Sequence, residues 1–388
     1  MGVTTGGEPA AYIVEKHLSR FCEGEDPRRV ELIWDQMWRA TINYGRKGLP
    51  LQVRATLLVL LLLLVLLLLV LLVLLLTLLL QAISAVDLAI WDVLGKLRNE
   101  PVYALLGGKA KDRLPVYCTS ARPDISKSLG FVAAKIPCPY GPSAGSEGLR
   151  KNVEFFKEWR AKVDATPWPE GSGKGPDEQM PIMLDCYMAL SVPFAISLCK
   201  ELAPLGLKWM EEFLPPDDYD GYKLVKEACK GTGVLLTTAE HEYTRYGYRQ
   251  LIKDRSVDVL QPDITWLGGL TEARRVVAMA AAYDILVIPH GSSVYSFHMQ
   301  YAFPNCPMAE NINLSPKADK IVPYFGGLFP DEPLPANGFI DLPNRPGFGV
   351  TLKRDGLARP YTRSAEEVLR QYKINAELPM PTKAHMPF

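Results

Sequence analysis

Histidine is scarce in this 388-residue chain, and paired cysteine is missing. The five histidines (His17, His241, His290, His298 and His385) form no H-x-H pair. A zinc hydrolase site wants several closely spaced nitrogen or sulfur donors, so that class is set aside. Seven cysteines are scattered, odd in number and never spaced C-x-x-C. They read as reduced thiols of a cytoplasmic protein, not as a disulfide frame. Net charge is lacking too, since 43 basic residues balance 43 acidic ones. No nucleic acid or other polyanion is suggested as a partner. The opening MGVTTGGEPA has no basic stretch leading into an apolar core, so no signal peptide is read.

What is present is an alternation of short apolar runs with amphipathic stretches. The runs are LPVYCTSA, FVAAKIP, PIMLDCYM, LKWMEEF, VLLTTAEH, VDVLQPD, LVIPHG and, more weakly, MAENIN. Between them lie NVEFFKEWRAKV, PFAISLCKELA, GYKLVKEACK, TRYGYRQLIKD and TEARRVVAMAAAY. Such alternation predicts parallel β/α units. Upstream, residues 12–22, 28–40 and 82–97 have helical spacing, the second started by Asp26-Pro27. Residues 166–180 read as a surface loop.

Five runs end on groups with chemistry. Asp185 closes the third, Glu211 the fourth, Glu240 the fifth, Asp263 the sixth and His290 the seventh. In a parallel barrel, consecutive strand ends share one face, so three carboxylates can converge there. A hard cation such as Mg²⁺ takes carboxylate oxygens and keeps positions for water or substrate. A lone acid after a strand is usually a helix cap or a solvated residue. That reading would have to be invoked in five consecutive units here. A lone histidine is more often structural than a base, but Asp263 supplies a partner for His290.

The order Asp, Glu, Glu, Asp, His resembles the mandelate racemase branch of the enolase superfamily. So do AVDLAIWDVLGK with PVYALLGG, and IVEKHL, IWDQM, YGRKGL, SARPD, LKWMEE, QPDITWLGGL, PHGSSVYS, PGFGV and RPY, in this order apart from the first two. The resemblance implies a modified (β/α)7β TIM barrel with a truncated α+β capping domain. It divides the chain into a partial cap over 1–113, the barrel over 114–320 and a segment over 321–388 that returns to the cap. It implies Mg²⁺ on Asp185, Glu211 and Glu240, with His290 as base and Asp263 orienting it. It implies loss of the C2 proton and C3 hydroxyl from a sugar acid such as L-rhamnonate, giving a 2-keto-3-deoxy acid. Lys135, Glu212, His241 and Glu310 are candidates for substrate contact or support of the metal ligands. A homo-oligomer is also implied. Racemases of this branch carry K-x-K at the second strand, but here it reads Lys135-Ile136-Pro137. The base on the opposite face is therefore missing, which fits elimination by one histidine and not racemisation.

Two features depart from the family. The first residues resemble the end of its opening β-meander. Residues 57–80 are almost pure Leu and Val with one Thr77. That run is long enough for a membrane span. It interrupts a family-like stretch, since joining GRKGLPLQ to AISAVDLAIWD leaves no gap. The preferred reading is a translated intron over 53–81, not a membrane anchor. The alternatives are a dehydratase of another sugar acid and an inactive gene product. On either departure the cap is compromised, and low activity of the chain as written is expected.

Overall fold

The computed structural model describes residues 2–3, 7–41 and 80–355. The run 57–79 and His385 lie outside the described residues.

Short β-branched and apolar runs give eight strands: β1 Leu114–Thr119, β2 Ala134–Pro137, β3 Ile182–Asp185, β4 Leu207–Glu211, β5 Leu235–Thr238, β6 Val259–Leu260, β7 Leu286–Val287 and β8 Ala309–Ile312. They pair in parallel in the order β7-β6-β5-β4-β3-β2-β1-β8, so the last strand returns beside the first. At the other edge, Val287 N donates to Asn305 O (2.9 Å), tying β7 to the turn before β8. A short β9, Phe339–Ile340, lies antiparallel on β1. The architecture is the α/β barrel that the alternation predicts.

The helices appear where periodicity places them. The cap contributes α1 (Gly7–Ile13), α2 (Val30–Thr41) and α3 (residues 80–98), followed by the single turn α4 (Val102–Leu105). Asp26 accepts from Arg28 N before Pro27, so the start signal works as read. Residues 14–21 continue α1 as wider and then tighter turns. Around the barrel run α5 (Pro123–Ser128), α6 (Gly145–Ala165), α7 (Val192–Leu202), α8 (Tyr219–Ala228), α9 (Thr244–Asp254), α10 (Gly269–Ala281) and α11 (Val294–Ala302). Residues 166–181 carry no regular element, matching the loop reading. Leu80, the last residue of the leucine run, is buried at the start of α3.

No described helix is long and apolar enough to cross a membrane.

His298, on α11, is fully buried and structural. Its Nδ1 accepts from Tyr103 N (3.1 Å), so its Nε2 carries the proton and donates to Phe348 O (3.2 Å). Burial pulls its pKa down to about 4, although the Phe348 carbonyl opposes this. The imidazole is thus neutral when folded and protonates near ~6.5 when unfolded. Its stability contribution is whole above ~6.5, declines as pH falls and is gone below about 4. Gln at this site can keep both hydrogen bonds without titrating. In urea melts at pH 7 and 4.5, His298→Gln should lose about 2 kcal/mol less than the parent chain. Equal losses would place the acid sensitivity elsewhere.

Candidate active site

The barrel interior is layered by the two-residue period of its strands. Tyr117, Ala133, Met183, Trp209, Val259 and Ile288 form an apolar plug, with Leu235 and Met308 packed against it. Two residues further along each strand the side chains again face inward, one layer nearer the mouth. Those residues are Thr119, Lys135, Asp185, Glu211, Thr237, Gln261, His290 and Glu310. One step of the strand period therefore separates a dry plug from a polar ring. Within the ring the register sets Asp185, Glu211 and Thr237 side by side across three strands, and Thr119 beside Lys135.

Lys135 is the centre of that ring and is almost wholly buried. Its Nζ contacts Glu310 Oε1 at 2.9 Å and Asp185 Oδ2 at 3.4 Å, and bonds to Glu211 Oε1. Burial opposes its charge, but Glu211 and Glu310 overcome this and hold its pKa well above the ordinary value. Trp209 Nε1 (3.0 Å) and Gln261 Nε2 (2.7 Å) both donate to Glu211 Oε2. Burial, with Asp185 and Glu310 nearby, still pushes Glu211 up to about 8 against the pull of Lys135. Glu310 is buried too, yet Lys135 and His290 bring it down to about 2. Thr119 Oγ1 and Gly291 N (2.8 Å) donate to it.

Asp263 and His290 meet as the sequence predicts. Asp263 Oδ2 lies 2.9 Å from His290 Nδ1. The other oxygen of Asp263 accepts from Thr265 N (2.7 Å), Thr265 Oγ1 (2.6 Å) and Ser292 Oγ (3.2 Å). The carboxylate is thereby locked and the imidazole turned so that Nε2 faces the mouth, 3.5 Å from Glu240 Oε1. Burial disfavours the imidazolium, but Glu240 and the Asp263 hydrogen bond raise its pKa to about 10. Burial in turn raises Glu240 to about 7.

Glu212 and His241 form a second pair. Glu212 Oε2 lies 2.8 Å from His241 Nδ1, and Glu212 Oε1 accepts from His241 N at 3.2 Å. Left-handed backbone at Glu212 (φ 42°) and at Ala239 (φ 92°) turns the chain sharply next to these groups. Such conformations are costly and cluster at functional sites.

The site is rich in donors for a divalent cation. Six carboxyls (Asp185, Glu211, Glu212, Glu240, Asp263, Glu310) face only three groups able to be cationic (Lys135, His241, His290). The acid surplus, with carboxylate oxygens of Asp185, Glu211 and Glu310 turned inward, fits a hard cation. Among the described residues, the three donors drawn within 4.8 Å of one another are Glu212, Glu240 and His241. The expected triad of Asp185, Glu211 and Glu240 is not drawn together that closely, and Lys135 Nζ stands between the first two. The two groups differ in what already engages them. Glu212 is already engaged by His241, and a nitrogen donor suits a softer metal. Asp185 and Glu211 both face inward, where an ammonium already marks a cation position.

Sequence reading missed Gln261, Thr265, Ser292 and Trp266. The Trp266 ring lies between the two histidines, its centroid 5.4 Å from His241 and 5.5 Å from His290. Gln261 was findable, because it stands two residues before Asp263 and two after Val259 of the plug. The others belong to loops with no period to read.

Comparison with known proteins bears on the family. Residues 2–107 match the N-terminal domain model of mandelate racemase / muconate lactonizing enzyme, and residues 172–356 match the enolase C-terminal domain-like model. An L-rhamnonate dehydratase of Saccharopolyspora erythraea is 45% identical over 93% of this chain and 82% of its own. A putative L-rhamnonate dehydratase of Caldivirga maquilingensis is also 45% identical, over 93% of this chain and 79% of its own. The solved L-rhamnonate dehydratase of Gibberella zeae superposes with a TM-score of 0.76 at 41% identity, covering 96% of this chain and 82% of that one. A second structure of that fungal enzyme is a complex with Mg, at the same TM-score and identity, covering 96% of this chain and 79% of that one. The chain therefore belongs to the mandelate racemase / muconate lactonizing enzyme family, with an enolase-like barrel as its catalytic half.

Proposed function

We infer that the chain is a Mg²⁺-dependent hydro-lyase that dehydrates L-rhamnonate to 2-keto-3-deoxy-L-rhamnonate. The observation that carries this is the Asp263–His290 pair facing an acid-rich ring, with Pro137 at the β2 position where a racemase would carry its second lysine. The dehydratases of Saccharopolyspora and Gibberella support the substrate.

In this reading Asp185, Glu211 and Glu240 hold the metal. Bound there, Mg²⁺ supplies positive charge to offset the second negative charge that builds on a carboxylate when its α-proton leaves. His290 takes the C2 proton at Nε2, while Asp263 holds Nδ1–H and stabilises the imidazolium. The imidazolium then gives its proton to the departing C3 hydroxyl. Water leaves, and the enol tautomerises to the keto acid. One residue on one face does both transfers, so the elimination is syn. Neutralising Glu240 also removes the largest group raising His290, which moves the imidazole toward a working pH. Lys135 is the cation for the substrate carboxylate, and Glu211 and Glu310 keep it charged. His241, steadied by Glu212, faces the sugar hydroxyls.

The test is a panel of sugar acids incubated with the full chain and Mg²⁺, scored by 2-keto acid formation. L-Rhamnonate should give the highest kcat/KM, and EDTA should abolish turnover. Turnover insensitive to EDTA, or confined to acids lacking the C2/C3 stereochemistry of rhamnonate, would overturn the reading.

A further inference from the structure

The start of α10 has no cap of its own. Gly268, the residue before it, has no side chain and adopts φ 121°. Helix starts leave backbone N–H groups unpaired, and a Ser, Thr or Asp side chain normally takes one of them. Here the acceptor comes from the other domain. Asp87 of α3 accepts from Thr271 N at 2.9 Å, across 184 residues of sequence. The cap grips this turn at further points. Ser84 Oγ accepts from Gly268 N (3.0 Å), Trp34 Nε1 donates to Gly268 O (2.6 Å) and Trp91 Nε1 donates to Thr271 Oγ1 (2.9 Å). The fit leaves no room for a side chain at Gly269. A Cβ at Gly269 would lie 2.4 Å from Asp87 Oδ2, and Gly269 itself adopts φ 82°. Asp87 is wholly buried, which pushes its carboxyl up to about 7 against the Thr271 hydrogen bonds. Only Oδ2 holds Thr271 N, and Oδ1 is buried without a hydrogen-bond partner, a cost that the grip of Oδ2 on the turn must offset.

The gripped turn is continuous with the catalytic loop. Trp266 N and Leu267 N both donate to Asp263 O at 3.0 Å. The Trp266 ring then stands against His290 and His241. Only the three residues 264–266 separate the Asp263 that orients the base from Leu267, whose neighbour Gly268 is held by the cap.

We propose that Asp87 and Ser84 of the cap are positioning residues for the Asp263–His290 pair, acting through the Gly268–Thr271 turn and Trp266. This rests on the dehydratase reading above. The cap thereby sets the base from behind, in addition to whatever it contributes over the substrate. Misplacement by ~1 Å can cost ~100-fold in rate, so a loosened turn is felt as kcat.

The test uses the full Mg²⁺-loaded chain and two readouts. The first is hydrogen exchange of peptides spanning residues 263–272, which needs no substrate. The second is kcat and KM for L-rhamnonate per metal-loaded site. Asp87→Ala should speed exchange in that peptide at least tenfold while peptides of β3 and β4 stay unchanged. Its kcat should fall at least tenfold, with KM within twofold. Asp87→Asn retains an acceptor for Thr271 N and should recover kcat to within threefold. If Asp87→Ala does not fold, Ser84→Ala decides, with at least threefold effects in both readouts. Unchanged exchange overturns the clamp. Faster exchange with unchanged kcat overturns its catalytic role and leaves a purely structural cap. An Asn variant as impaired as Ala also overturns it, by assigning the effect to charge. If the parent chain turns over no sugar acid, the dehydratase reading fails, and the exchange readout alone still upholds or overturns the clamp.

Discussion

His290→Asn is expected to abolish dehydration and, with it, exchange of the substrate's C2 proton with solvent deuterium. The 2.9 Å contact between Asp263 Oδ2 and His290 Nδ1 commits that nitrogen to orientation and leaves Nε2 as the proton carrier. Asn matches the ring's size in part and preserves packing against Trp266 poorly, but it has no basic nitrogen. Loss of a positioned base typically costs ~10²–10⁴ in rate. In the proposed mechanism the same group also protonates the leaving hydroxyl, so the expected loss is at the upper end, ~10⁴. Mg²⁺ affinity should stay within a few fold, because the proposed ligands are Asp185, Glu211 and Glu240. Deuterium exchange at C2 is read by proton NMR of recovered substrate. Exchange continuing at the parent rate would assign the base to another residue, with His241 the first to examine, since it lies across Trp266.

Glu211→Gln and Glu212→Gln are expected to separate the two possible metal positions. If Asp185, Glu211 and Glu240 hold the ion, the Glu211 variant loses a charged donor from the inner ring. It also leaves Lys135 with one fewer counter-charge in a buried setting. Removing one partner of such a buried pair is costly, ~3–5 kcal/mol. Mg²⁺ affinity by calorimetry should therefore fall by at least 10²-fold, and turnover at saturating Mg²⁺ by ~10³. Glu212→Gln should leave Mg²⁺ affinity within a few fold and raise KM, because His241 loses its anchor. The reverse ranking would move the metal to the compact group of Glu212, Glu240 and His241.

The legible part of this protein follows from short-range periodicity. The seven clearest runs each became a strand, and the weak MAENIN run became β8. Alternation within those strands also put Lys135, Asp185 and Glu211 on the inward face, whereas His290 lies three residues beyond β7. Glu240 and Asp263 lie two and three residues beyond their strands, so their orientation depends on turns. Ala239 at φ 92° shows how far such a turn departs from what an alanine prefers. The leucine run remains a feature of sequence alone, since residues 42–79 lie outside the described residues.

The sequence by itself determined the fold class, the order of the chemical groups around the barrel and the absence of a second base at Pro137. Those depend on strand period and on connectivity, which are local properties. Tertiary structure decided which oxygen meets which nitrogen. It showed Lys135 shared by three acids, Glu212 drawn to His241 and not to the inner ring, and Asp87 capping a helix 184 residues away. Partners so distant in sequence meet only when two domains pack, and the cost of burying an unpaired polar group then selects the pairing.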